Sequence, residues 1–137
     1  MLGIRQAAAG IQSAVTDVLF RDYHLSEGKF CVLVVLHQNA QGIAPSVLAE
    51  KVGVTRATVS AMLMRLSRDE MVTIATDTQD GRGKKVTLTS KGRAFMDEIL
   101  PPHYLRITKL MGKLTETEQK ELARLLNKLR DENTRSE

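Results

Sequence analysis

Apolar residues recur near the start of the chain at Ile4, Ala8, Ile11, Val15 and Val18, in alternating steps of four and three that predict one face of a helix. That stripe is mostly small, and the opposite face (Gln6, Gln12, Ser13, Thr16) is uncharged, so packing against a partner as well as the chain's own core is expected. A second helix is predicted after Ser26 as N-cap. Its run from Phe30 to Leu36 is too apolar for a surface helix, and it stops over Asn39 to Gly42. The stretch "APSVLAEKVGVTRATVSAMLMRLSRDEM" then predicts a short helix with Val47, Leu48 and Val52 inward, a turn at Gly53-Val54, and a further helix beginning at Thr55. Ala49 and Gly53, four apart, supply the small contact and the permissive turn that two steeply crossing helices need. Val54, Val59, Leu63 and Leu66 make the inward face of that later helix. Arg56, Ala57, Ser60, Ala61 and Met64 point outward, with Thr58 and Arg65 on the flanks.

The periodicity then changes. "MVTIAT" and "KKVTLT" are β-branched runs joined by "DTQDGRG", which predicts a hairpin with a loop of several residues. A helix restarts in "LTSKGRAFMDEIL" with Thr89 or Ser90 as cap. Pro101-Pro102 predicts a kink or a fresh start, since proline removes a backbone donor and clashes one turn back. Ile107, Leu110, Met111 and Leu114 continue the stripe. The last helix opens with Thr115 and Glu118 in capping-box register and carries Leu122, Leu125, Leu126 and Leu129 on one side.

Charge sharpens this picture. The chain has 137 residues, the size of one domain, and a net charge of +4. Residues 1–42 and 94–137 each balance to zero, whereas the middle sets nine cations against five acids and carries the whole excess. A basic segment between neutral flanks is the footprint of a polyanion-binding surface. No apolar run approaches the roughly 20 residues of a membrane-spanning helix, and the N-terminus has no signal-peptide pattern, so a cytoplasmic protein is expected. Cys31 is the single cysteine and lies within an apolar run, where thiols are buried and unreactive. His24, His37 and His103 do not sit at metal-ligand spacing.

A helix entering a DNA major groove needs short side chains for close approach, hydroxyls for phosphates and an Arg that reaches base edges, and the outward face from Arg56 supplies them. Arg65 and Arg68 fit either phosphate contact or an ion pair with Asp69 or Glu70. Lys91 and Arg93 fit the helix start and the general field. "DGRGKK" resembles a phosphate loop only superficially, because such a loop needs a helix N-terminus after it and here a strand follows. No nucleophile-base set or paired carboxylate site accompanies it, so no enzyme is expected.

In order and spacing, "VLAEKVGVTRATVSAMLMRLSRDEMV", "DTQDGRGKKVTLTSKG" and "LTETEQKELARLLNKL" together resemble the recognition unit, wing and closing helix of the MarR family of winged helix-turn-helix regulators. The resemblance implies a mainly α fold with a small β-hairpin: a winged helix-turn-helix region over 43–93 between dimerisation helices at 1–38 and 94–137. It implies a homodimeric, sequence-specific repressor on a palindromic double-stranded operator, relieved by a small aromatic or anionic ligand. Tyr23, His24, His37 and Tyr104 are candidates to line the ligand cleft. DNA contacts are implied at Thr55, Arg56, Ala57, Thr58, Ser60 and Arg65 and, in the wing, at Arg82, Lys84 and Lys85, with Arg82 in the minor groove. Asp80, Gly81 and Gly83 would shape the wing. No cofactor or metal is implied.

The family's peroxide-sensing cysteine lies one helix earlier than Cys31. The sequence departs from the family where Gly81 replaces an Arg, Ala61 a cation, Met64 an Asp and Glu70 a Gly. The two missing cations imply weaker or differently tuned DNA binding, and motivate the alternative of a winged-helix protein-interaction scaffold. The first helix also starts closer to Met1 than is common in the family, as in a truncated chain.

Overall fold

The computed structural model describes residues 1–76 and 83–133, with side chains to 130. The elements run α1 (Leu2–Tyr23), α2 (Glu27–Gln38), α3 (Pro45–Val52), α4 (Arg56–Arg68), β1 (Val72–Thr76), β2 (Lys84–Leu88), α5 (Ser90–Met111) and α6 (Glu116–Asn133). The predicted caps do the predicted work. Ser26 accepts from the Lys29 amide and Thr89 from the Gly92 amide, while Thr115 and Glu118 exchange both bonds of a capping box.

The core forms where α2 is enclosed on several sides. Val32, Leu33 and Leu36 of α2 are fully buried with Leu48 of α3, Val59 and Leu66 of α4, Val86 of β2, and Met96 and Ile99 of α5. Gly53 ends α3 at φ 79°, a left-handed conformation that a side chain would strain, and its amide bonds to Ala49 and Glu50 carbonyls. The expected inward position of Val47 is not met: it is 41% exposed, because Leu48, Ala49 and Val52 form the packed side of α3 and Val47 lies off it.

β1 and β2 pair antiparallel from Val72↔Leu88 to Thr76↔Lys84. A one-residue third strand joins them, as Ile43 exchanges backbone hydrogen bonds with Val86 at 3.0 and 2.9 Å. The middle of the hairpin is thereby tied to the residue just before α3.

The prolines do not divide the last long helix. α5 runs unbroken for 22 residues with Pro101 and Pro102 inside it, so the expected fresh start is absent. Two lost amides leave the carbonyls of Asp97 and Glu98 without their helical donors, but both residues are exposed and water can serve them. Ile99, Leu100 and His103, all buried, hold the helix to the core on either side of the proline pair.

The two ends of the chain are packed differently from its middle. On α1 only Leu19 is fully buried, while Ile4 and Ile11 are exposed. On α6 every residue from Lys120 to Arg130 is exposed, including Leu122, Leu125, Leu126 and Leu129. The Gln119 side chain ties it back by donating to the carbonyls of Met111 at the end of α5 and of Leu114 in the connecting turn.

Candidate nucleic-acid interface

α4 is amphipathic as its sequence requires. Val59, Leu63 and Leu66 are buried, while Arg56, Ala57, Ser60, Ala61, Met64 and Arg65 are exposed on the other side. The Thr55 hydroxyl caps the helix by accepting from the Thr58 amide at 3.2 Å, and the two threonine hydroxyls lie 2.8 Å apart. Both threonines are exposed, so the cap leaves them at the surface.

The hairpin brings the loop end of β2 to the same side. A polar recess of about 380 Å³ is lined by Ser46 of α3, Arg56 and Ser60 of α4, and Gly83 and Lys84 at the start of β2. Lys85 lies elsewhere: the stem of its side chain covers Gly42, where an added Cβ would come within 2.7 Å of it. Asp80, Gly81 and Arg82 lie outside the described residues. Sequence reasoning missed Ser46, because the bridge through Ile43 that draws α3 toward β2 is one residue long and has no periodicity to detect.

The late cations of this region divide by role. Arg65 and Arg68 make no ion pair among the described residues, whereas Glu70 pairs with Lys91 at 3.6 Å. Lys91 also donates to the Asp69 carbonyl at 3.1 Å, which makes it a brace between the end of α4 and the start of α5.

A separate apolar cavity of about 270 Å³ lies among α2, α3 and α5, lined by Phe30, Val34, Lys51, Leu100, His103 and Tyr104, with Cys31 also on its wall. His103 is 7% exposed; its ring packs 4.6 Å from that of Phe30, and its Nδ1 has no partner among the described residues. Burial, and then the neighbouring Arg106 charge, hold this imidazole below its usual pKa. Burial, then Glu27, push the Cys31 thiol up, which disfavours a reactive thiolate. Of the four aromatic and histidine side chains expected around a cleft, only Tyr104 reaches it. Tyr23 packs edge-on against Phe95 at 5.8 Å, His24 ends α1 in a left-handed conformation, and His37 bonds Asp97 at 2.9 Å. Among the described residues no group of three metal-ligating side chains occurs, and no helix is long and apolar enough to cross a membrane.

The sequence profile of the MarR family matches residues 25–84. The HTH-type transcriptional repressor YetL of Bacillus subtilis (strain 168) is 32% identical over 116 residues, 84% of this chain and 70% of YetL. The chain belongs to the MarR family. This MarR-family chain shares its fold with Sco3205 of Streptomyces coelicolor, solved in complex with DNA, at a TM-score of 0.89 and 22% identity, covering 98% of this chain and 85% of that one. It shares it also with PcaV of Streptomyces coelicolor, solved with its natural ligand, at a TM-score of 0.74 and 21% identity, covering 93% and 86%. Its relatives are transcriptional regulators and not enzymes, and the mainly helical fold with one hairpin is the winged-helix arrangement of the family.

Proposed function

We propose that this MarR-family chain is a homodimeric repressor that presents two copies of α4 to successive major grooves of a palindromic operator. The carrying observation is the convergence of Arg56 and Ser60 of α4 with Lys84 of the hairpin on one polar recess, beside an outward α4 face free of acids. Thr55, Arg56, Ala57, Thr58, Ser60 and Arg65 serve as the groove and phosphate contacts of α4; Lys84 and Lys85 hold phosphates beside the wing, and Arg82 enters the flanking minor groove. Dimer pairing uses the exposed apolar sides of α1 and α6. Relief by a small aromatic anion fits the cavity lined by Phe30 and Tyr104, with Lys51 on its wall as the cationic partner. PcaV, a structural neighbour, is a regulator solved with its own ligand.

The test is binding of the purified protein to the DNA upstream of its own gene, against a shuffled duplex, at two salt concentrations. The expected result is selective binding that weakens steeply with salt, and in Arg82→Glu a slope flattened by roughly one unit for each phosphate the protein no longer neutralises. Equal, weak binding to both duplexes would overturn the operator reading and favour a winged-helix scaffold for protein partners.

A further inference from the structure

The recess between α3, α4 and β2 has a chemistry of its own. Ser46, Arg56, Ser60 and Lys84 come from three separate elements, and none of their side chains has a hydrogen-bond or ion-pair partner among the described residues. Among the described residues no carboxylate lines it. Ala44 at the N-cap of α3 supplies no side-chain cap and Pro45 has no N–H, so the amides of Ser46 and Val47 in the first turn are left without a side-chain acceptor. The arrangement is fixed from behind, since the paired backbone hydrogen bonds of Ile43 with Val86 hold the start of α3 at a set distance from β2.

Two cations, two hydroxyls and uncapped amides around one open hollow are the complement of a tetrahedral oxyanion. We propose that this recess is a phosphate clamp, and that Ser46, a residue outside the recognition helix and the wing, binds the same DNA phosphodiester as Arg56 and Lys84. The proposal rests on the operator-binding reading above. The clamped phosphate lies where the strand passes from the groove holding α4 to the groove facing the wing. Clamping it sets the angle between the two, so Ser46 positions the protein on the duplex and reads no base.

The test uses the full chain and the protected upstream duplex, synthesised with a neutral methylphosphonate at one linkage at a time across a half-site. For the unaltered protein, one linkage per half-site should weaken binding by about tenfold or more when neutralised, the size expected for removing a charge-assisted hydrogen bond. In Lys84→Gln the penalty at that linkage should shrink several-fold, and in Ser46→Ala by about twofold, Arg56 accounting for what remains, because these side chains are coupled through one phosphate. Both changes are at exposed positions, so the fold is retained. A penalty that persists in full in both variants, or linkages that respond to Lys84→Gln and Ser46→Ala at different positions, would overturn the clamp while leaving the regulator reading intact. An unaltered protein that fails to distinguish the upstream duplex from a shuffled one overturns the regulator reading, and the clamp with it.

Discussion

His103 is a buried titratable residue whose surroundings disfavour its charged form. Phe30, Leu100 and Tyr104 surround it with rings and methyls, and Arg106 adds a like charge. Its folded pKa is lowered from a usual value near 6.5, so between that value and the lower folded one the unfolded chain binds more protons than the native chain. Stability from His103 is therefore fully present above about pH 6.5 and declines as the pH falls toward the folded value. In His103→Leu this contribution disappears while the apolar filling is kept. Urea midpoints measured at pH 7.5 and pH 5.0 should differ less in the variant than in the unaltered protein. Equal differences in the two proteins would show that His103 is protonated in place without cost.

The junction of α4, the hairpin and α5 shows why "LTSKG" is written as it is. The Thr89 hydroxyl caps α5 and donates to the Glu70 carbonyl at 2.6 Å, and the Thr89 amide donates to the Met71 carbonyl at 3.0 Å. The first turn of α5 is drawn so close that a Cβ at Gly92 would stand 2.1 Å from the Met71 carbonyl oxygen. Gly92→Ala should therefore cost more than ordinary overpacking, about 3 kcal/mol or more, because relieving the clash breaks the bonds that define the junction. A urea midpoint within error of the unaltered protein would mean that α5 shifts freely.

Much at this scale was legible in the sequence. Caps, hairpin runs and the buried side of α4 follow from local chemistry and periodicity, which need no knowledge of distant contacts. The Ile43 bridge, the outward Val47 and the unbroken α5 were not legible, because each is decided by what the rest of the chain packs against it. Among the candidate site residues, Arg56 and Ser60 could be read from helix phase. Ser46 could not, since its approach to Lys84 depends on a tertiary bridge. Glu70 holds a left-handed φ of 60° at a position where glycine would be unstrained, a cost invisible in its residue type.

Over the whole molecule, charge and apolar surface are segregated. The net +4 lies in the winged-helix region, whereas the helical ends are neutral and carry exposed Ile4, Ile11, Leu125, Leu126 and Leu129. An isolated helix of the length of α6, 18 residues with a strongly polar composition, is marginal in water unless its apolar side is covered. In the proposed dimer, neutral ends would let two copies approach without repulsion and would leave both cationic regions free to face one duplex. Leu125→Glu with Leu129→Glu places charges on the side that would be covered, at positions already exposed in the single chain, so its fold should survive in circular dichroism. The double variant should sediment as one chain where the unaltered protein sediments as two. It should also lose roughly a hundredfold or more in affinity for a palindromic duplex, because the second half-site no longer binds at the effective concentration that linkage provides. A variant that stays paired would move the interface to α1. An unaltered protein that sediments as a single chain at micromolar concentration would overturn the dimer, and a single copy of α4 would then have to account for all DNA affinity.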